Sequence, residues 1–121
     1  RTGAGSGAEQ EDRSAQKEMV SFICSRYGEH LSLEESAAAG DVSRSRCCQI
    51  FRKYVGQSPV DFLNTYRLKM GRDMLAGTEK SVTEIATGCG FSHLSYFSRQ
   101  FAAVYGCTPR EYRKMAENCK K

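Results

Sequence analysis

From about Ser14 onward, apolar residues recur at intervals of three and four. Met19, Val20, Phe22, Ile23 and Tyr27 form one helical stripe, which Gly28 can end. Ser32-Leu33-Glu34-Glu35 is a capping box: the serine oxygen can accept from the amide three residues on, and the glutamate can reach back to the serine amide. A helix is predicted from there to Gly40. The next runs from Ser43 to about Val55, with Cys47, Ile50, Phe51 and Tyr54 on its buried side and Gly56 as its stop. Ser58-Pro59 opens a longer helix through Phe62, Leu63, Tyr66, Met70 and Met74 to Ala76, because proline at the first helical position forfeits no hydrogen bond. At 1.5 Å per residue that rod is roughly 27 Å long.

The pattern then repeats. Ser81-Val82-Thr83-Glu84 is a second capping box, followed by Ala86, the turn Gly88-Cys89-Gly90, a helix from Ser92, a stop at Gly106 and a further helix opened by Thr108-Pro109. Ser32, Glu35, Ala37 and Ser43 match Ser81, Glu84, Ala86 and Ser92 at an offset of 49; Phe51, Gly56, Pro59 and Phe62 match Phe101, Gly106, Pro109 and Tyr112 at an offset of 50. Agreement in caps, small residues, aromatics and glycine together indicates an internal duplication. The one-residue slip is expected inside the second presented helix, near its start.

Each repeat is a short helix, a tight turn and a second helix at a steep angle, which is the helix-turn-helix arrangement. Ala37 and Ala86 are expected where the helices cross, and Val42 and Phe91 as plugs in the angle between them. Phe97, Phe101 and Val104 are expected to face inward. That leaves His93, Leu94, Ser95, Ser98 and Arg99 outward in the second repeat, against Arg44, Ser45, Cys48 and Gln49 in the first. Arginine can contact guanine O6 and N7 in bidentate fashion, glutamine suits adenine, and short hydroxyl side chains allow deep entry into a groove. These nine residues are the expected base contacts. Arg46, Arg52 and Lys53 flank them and suit phosphates, which position a protein without reading sequence.

Charge sharpens this picture. Arg1 to Val42 carry four Lys/Arg and eight Asp/Glu, whereas Ser43 to Lys121 carry fourteen and six, so the basic excess lies with the presented helices and favours a polyanionic partner. No run of 18 apolar residues suggests a membrane span. Residues 1–13 are expected to be a flexible linker or the end of an excised fragment, since the chain opens on Arg1 and RTGAGSGAEQ is small, polar and glycine-rich. The six cysteines lack framework spacing, and most fall where an apolar residue is expected, which points to reduced core thiols in a cytoplasmic protein.

The stretch SVTEIATGCGFSHLSYFSRQFAAVYGCTPREYRK resembles the signature of the DNA-binding domain of AraC/XylS-type bacterial transcription regulators, and LSLEESAAAGDVSRSRCCQIFRKYVGQSPVDFLNTYRL resembles that domain's first helix-turn-helix. Ile85-Ala86, Gly90-Phe91, Ser95-Tyr96-Phe97, Phe101, Gly106, Pro109 and Tyr112-Arg113 stand at the family's spacing, and the likeness covers about Gln16 to Lys114. It implies an all-α fold of seven helices: a first helix-turn-helix lobe over 14–57, a joining helix over 58–77 and a second lobe over 78–121. It also implies two recognition helices in successive major grooves of an asymmetric duplex site, in the DNA-binding fragment of a larger transcription regulator. Dimerisation is then expected in a domain outside this otherwise monomeric fragment, and a contact with RNA polymerase is compatible with DNA binding.

Two departures stand out. Cys47 replaces the family's usual leucine, and Gly71 its usual alanine, at a cost of about 1 kcal/mol in helix propensity that would soften the rod. Cys48 is a weak hydrogen-bonding group, so modest base reading is expected of the first lobe.

Three rival classes have less support. Neither His30 nor His93 has an evident catalytic partner, and no phosphate-cradling loop or His-Glu metal motif occurs, so neither enzyme nor cofactor is expected. A zinc- or redox-sensing module would rest on Cys47-Cys48 with Cys89 or Cys107, without a C-x-x-C pair. A protein-interaction module would need an exposed apolar stripe, whereas the apolar residues are all expected inside.

Overall fold

The structure, a computed structural model, describes residues 3–120. Its elements are α1 (Gly3–Arg26), α2 (Leu33–Ala39), α3 (Arg44–Ile50), continued by a π-helical turn (Phe51–Val55), then α4 (Pro59–Gly77), α5 (Val82–Gly88), α6 (Leu94–Tyr105) and α7 (Pro109–Lys120). Among the described residues the fold is all-α with seven α-helices, as expected. The described residues up to Asn64 and those from Thr65 onward form two compact units, whose boundary falls within α4. Among the described residues no helix is long and apolar enough to cross a membrane.

The helix starts follow from local chemistry. Ser32 and Ser81 cap α2 and α5 in complete capping boxes with Glu35 and Glu84. Sequence reading passed over a third: the amide of Thr108 donates to Glu111 Oε1 at 2.8 Å, and the Glu111 amide donates to Thr108 Oγ1 at 3.2 Å. Ser58 Oγ likewise accepts from the Asp61 amide at the head of α4. Amide hydrogen bonding holds all three glutamates below the ordinary carboxylate range.

One expectation fails at the N-terminus. Residues 3–13 are helical, not linker, because the alanine, glutamate, glutamine and arginine of Ala8–Arg13 favour helix and Asp12 is tied to α3 by an ion pair with Arg46. Arg1 and Thr2 lie outside the described residues.

In the first unit, Ala15, Met19 and Ile23 of α1 pack on Ala37, Cys47, Ile50 and Phe51. Val42, Tyr54, Phe62 and Leu63 close around them, partly buried. Gly40 ends α2 beneath α1, where a Cβ would stand 2.7 Å from Met19 Cγ and 3.1 Å from the Ala15 carbonyl oxygen.

The second unit solves the same problem in reverse. Its turn carries the buried Cys89, and the packing helix α4 supplies the glycine: a Cβ on Gly71 would stand 3.0 Å from two ring carbons of Phe97 and 3.7 Å from Cys89 Sγ. Gly71 therefore has a packing reason that propensity does not reveal. Around it Leu68, Leu75, Ile85, Ala86, Phe91, Phe97 and Phe101 are buried. Ring contacts run from Phe91 to Phe97 at 5.0 Å, from Phe97 to Phe101 at 5.7 Å, and on to Tyr105 at 4.7 Å and Tyr112 at 5.8 Å.

Val104, expected inside, is 54% exposed. The end of α6 packs instead through Tyr105, one turn beyond Phe101. Val60 and Met115 are also at least half exposed, so the apolar residues are not all internal.

Two outcomes follow for stability. Gly71→Ala should lower the melting temperature, with a net loss of about 1 kcal/mol: the gain of about 1 kcal/mol in propensity is outweighed by overpacking of about 1–3 kcal/mol against a fully buried Phe97. Thermal unfolding by circular dichroism checks this. The three capping glutamates have folded pKa values below their unfolded ones, so their contribution is present above about pH 4.3 and lost as pH falls through the folded values. The melting temperature should drop on that acid side, and Glu84→Gln, which keeps the acceptor oxygen, should make the drop shallower.

Candidate nucleic-acid interface

The two helix-turn-helix units agree in the dihedrals and hydrogen bonds of their turns. Gly40 and Cys89 end α2 and α5 with nearly equal dihedrals, φ −93° and ψ 1° against φ −88° and ψ 2°. Asp41 and Gly90 follow at positive φ, 57° and 94°. Aspartate tolerates this left-handed region. Gly90 is held to it more strictly, because a Cβ there would also lie 2.7 Å from Arg67 Nε. The amides of Val42 and Phe91 then donate to the carbonyls of Ala37 and Ala86, at 3.0 and 2.9 Å.

After the plug residues the registers separate. Ser43 caps α3, its Oγ accepting from the Arg46 amide, whereas the N-cap of α6 is His93, with no side-chain capping hydrogen bond. Ser92 is thus the additional residue and belongs to the turn. The slip expected inside α6 lies before it, and α6 starts two residues later than predicted. From the caps onward the offset is a constant 50: Ser43 pairs with His93, Arg44 with Leu94, Ser45 with Ser95, Cys48 with Ser98 and Gln49 with Arg99.

Arg44, Ser45 and Gln49 on α3, and His93, Ser95 and Arg99 at α6, are exposed; Cys48, Leu94 and Ser98 are half-buried. Arg52 and Lys53 are exposed on the π-helical turn, Lys53 with its Nζ 5.2 Å from the centre of the Tyr54 ring. Arg44 Nη1 lies 3.5 Å from Glu34 Oε2, a loose pair between well-exposed side chains. Arg46 is more firmly engaged. Its Nη2 donates to both carboxylate oxygens of Asp12, at 2.6 and 2.7 Å, and its Nη1 donates to Gln49 Oε1 at 3.1 Å.

At α6, Leu94, Ser95 and Ser98 border a cleft of about 350 Å³ with Val82, Pro109 and Arg110. Arg110, exposed in the first turn of α7, is a cation that sequence reasoning missed, beside the expected base contacts Leu94, Ser95 and Ser98. The repeat offered no hint, since its counterpart at the offset of 50 is Val60. A basic residue directly after the Thr-Pro cap was the available signal.

The thiols do not assemble. All six cysteines are free, and among the described residues no group of three or more His, Cys, Asp or Glu side chains could hold a metal ion. Burial pushes the Cys47 thiol up to about 11, with Cys48 adding to the effect. Burial also raises Cys89 to about 11, against a smaller downward pull from Arg67 and Lys80. At neutral pH both are protonated and poor nucleophiles.

Comparison with known proteins places these features in a lineage. A family described as a helix-turn-helix domain matches residues 36–115. An uncharacterized HTH-type transcriptional regulator of Bacillus subtilis, YdeC, is 35% identical over 99 residues, covering 82% of this chain and 34% of that protein. The HTH-type transcriptional regulator ArgR of Pseudomonas aeruginosa is 38% identical over 85 residues, covering 70% and 26%. The chain thus spans about a third or less of the length of the curated relatives it matches. An AraC-type transcriptional regulator structure from Chromobacterium violaceum superimposes with a TM-score of 0.79 at 31% identity, covering 92% of this chain and 96% of that one. The DNA-binding domain of AdpA, solved in complex with a target DNA, gives 0.78 at 28% identity, covering 82% and 89%. On a family match spanning more than half of its residues, the chain belongs to the AraC-type family of helix-turn-helix domains of transcriptional regulators, a family of DNA-binding domains and not of enzymes.

Proposed function

We propose that this chain binds duplex DNA sequence-specifically, with α3 and α6 in successive major grooves, as the DNA-binding part of a larger transcription regulator acting in a bacterial cytoplasm. The observation that carries this is the constant register of the two helices from their N-caps. The same positions on both point outward, and they carry different side chains, which suits one asymmetric site better than a palindrome. The target DNA bound to the similar AdpA domain supports duplex DNA as the ligand.

In this reading Arg44, Ser45, Cys48 and Gln49 face bases in one groove, and His93, Leu94, Ser95, Ser98 and Arg99 in the next. Arg52 and Lys53, joined by Arg110, serve the phosphates, while Arg46, expected from the sequence to do the same, is engaged by Asp12. The division into a first lobe over 14–57, a joining helix over 58–77 and a second lobe over 78–121 supplies the spacing, with α1 reaching further back than that division allows. The fragment acts as a monomer, the remainder of the regulator brings in dimerisation, and a face away from DNA is open to RNA polymerase.

Arg99→Ala should weaken binding to the selected site by about 1–3 kcal/mol and relax preference at one base pair, the cost of a lost bidentate contact. Arg52→Ala should instead lower affinity on every duplex alike and reduce the salt slope. Titrations on specific and random duplexes at several salt concentrations separate the two; equal behaviour would mean that the reading faces are misassigned. Footprinting tests the spacing. One chain should protect two major-groove segments about 10 base pairs apart, and inserting five base pairs between them should reduce affinity to that of a single lobe.

A further inference from the structure

We propose that Asp12 is a positioning residue that sets which base Gln49 reads, through Arg46. The inference rests on the duplex-binding reading above and adds a determinant from α1, outside the matched residues 36–115.

Arg46 and Gln49 lie three apart on α3 and therefore share a face. Asp12 comes from a different helix, and its side chain is only 13% exposed, with both oxygens accepting from Arg46 Nη2. That grip fixes the guanidinium, whose Nη1 then donates to Gln49 Oε1 at 3.1 Å. A guanidinium can only donate, so it is the amide oxygen of Gln49 that must face it. The amide nitrogen is left on the other side of the group, turned away from Arg46.

This orientation has a chemical consequence in a major groove. Bidentate reading of adenine needs the glutamine oxygen to accept from N6 while the nitrogen donates to N7. With one lone pair of its oxygen occupied by Arg46, Gln49 offers that oxygen less well to adenine N6 and turns its two N–H donors outward. Two donors suit the paired acceptors of guanine, O6 and N7, or thymine O4, better than adenine, whose N7 acceptor stands beside the N6 donor. Asp12 thus converts a glutamine that would select adenine into one that selects guanine or thymine. It also withholds the Arg46 cation from phosphate.

Selection from a random duplex library, run in parallel on the unaltered chain, Asp12→Ala, Arg46→Ala and Gln49→Ala, tests this. Gln49→Ala identifies the base pair by making it indifferent. There the unaltered chain should select guanine or thymine, and both Asp12→Ala and Arg46→Ala should shift the ratio toward adenine by about tenfold, with the bases read by α6 unchanged. In the DNA-free protein, the Gln49 side-chain amide resonances should move in Asp12→Ala while those of Gln100 stay in place. This readout does not depend on DNA, and unchanged melting temperatures would separate it from a folding defect. Adenine selected by the unaltered chain, or a preference that both variants leave as it was, would overturn the role of Asp12 and leave DNA binding intact. If the unaltered chain enriched no motif at all, duplex reading itself would fail and this inference with it.

Discussion

Everything presented to solvent by α3 and α6 depends on one backbone hydrogen bond made twice. The amide of Val42 donates to Ala37, and that of Phe91 to Ala86. Each closes a turn whose preceding residue has positive φ, and each brings the plug residue over an alanine that is 3% or 1% exposed. Both alanines are buried, so the space around them is closed to a longer side chain. A larger or charged side chain at either position would separate the helices or bury a charge, and the angle at which the second helix leaves the core would be lost.

The two units meet this constraint with different materials. In the first, the turn gives way to the helix: Gly40 makes room for Met19 and for the backbone at Ala15. In the second, the helix gives way to the turn, with Gly71 accommodating Cys89 and the Phe97 ring. Close packing leaves no slack for a side chain on both surfaces, so glycine stands on one side or the other. The aromatic content is unequal too: α6 is held through a run of rings from Phe91 to Tyr112, whereas α3 is held by Cys47, Ile50 and Phe51 beneath α1.

Much of this architecture was legible in the sequence because it is written in local chemistry. Serine three residues before glutamate, proline after serine or threonine, and glycine after an apolar run are short-range signals, and they located α2, α4, α5 and the ends of α3 and α6. What escaped were terms that depend on distant partners. The cap of α6 could not be read because His93 has no capping hydrogen bond, so Ser92 looked like the start. Val104 was assigned inward by periodicity alone, yet the helix packs through Tyr105 at that level. Gly71 looked like a weak point until its neighbours were known. The helical state of residues 3–13 depends partly on an ion pair between positions 34 apart, which no local pattern announces. The exposure of Arg44, Ser45, Gln49, His93, Ser95 and Arg99 was easier, because facing out is the complement of an apolar stripe, whereas Cys48, Leu94 and Ser98 are half-buried.

Ser92 shows where such a duplicated fold can change length. One residue added inside a helix would rotate everything beyond it by about 100°, carrying polar positions into the core and rings into solvent. Added in the turn, between the plug and the cap, it leaves both helices in phase with their own cores. The turn is therefore an elastic joint in an otherwise rigid pattern, and the two copies have been free to differ there while the phase of α3 and α6 is kept. Exchange of reading helices between the two units is accordingly best made at the cap residues, Ser43 and His93, where the registers coincide.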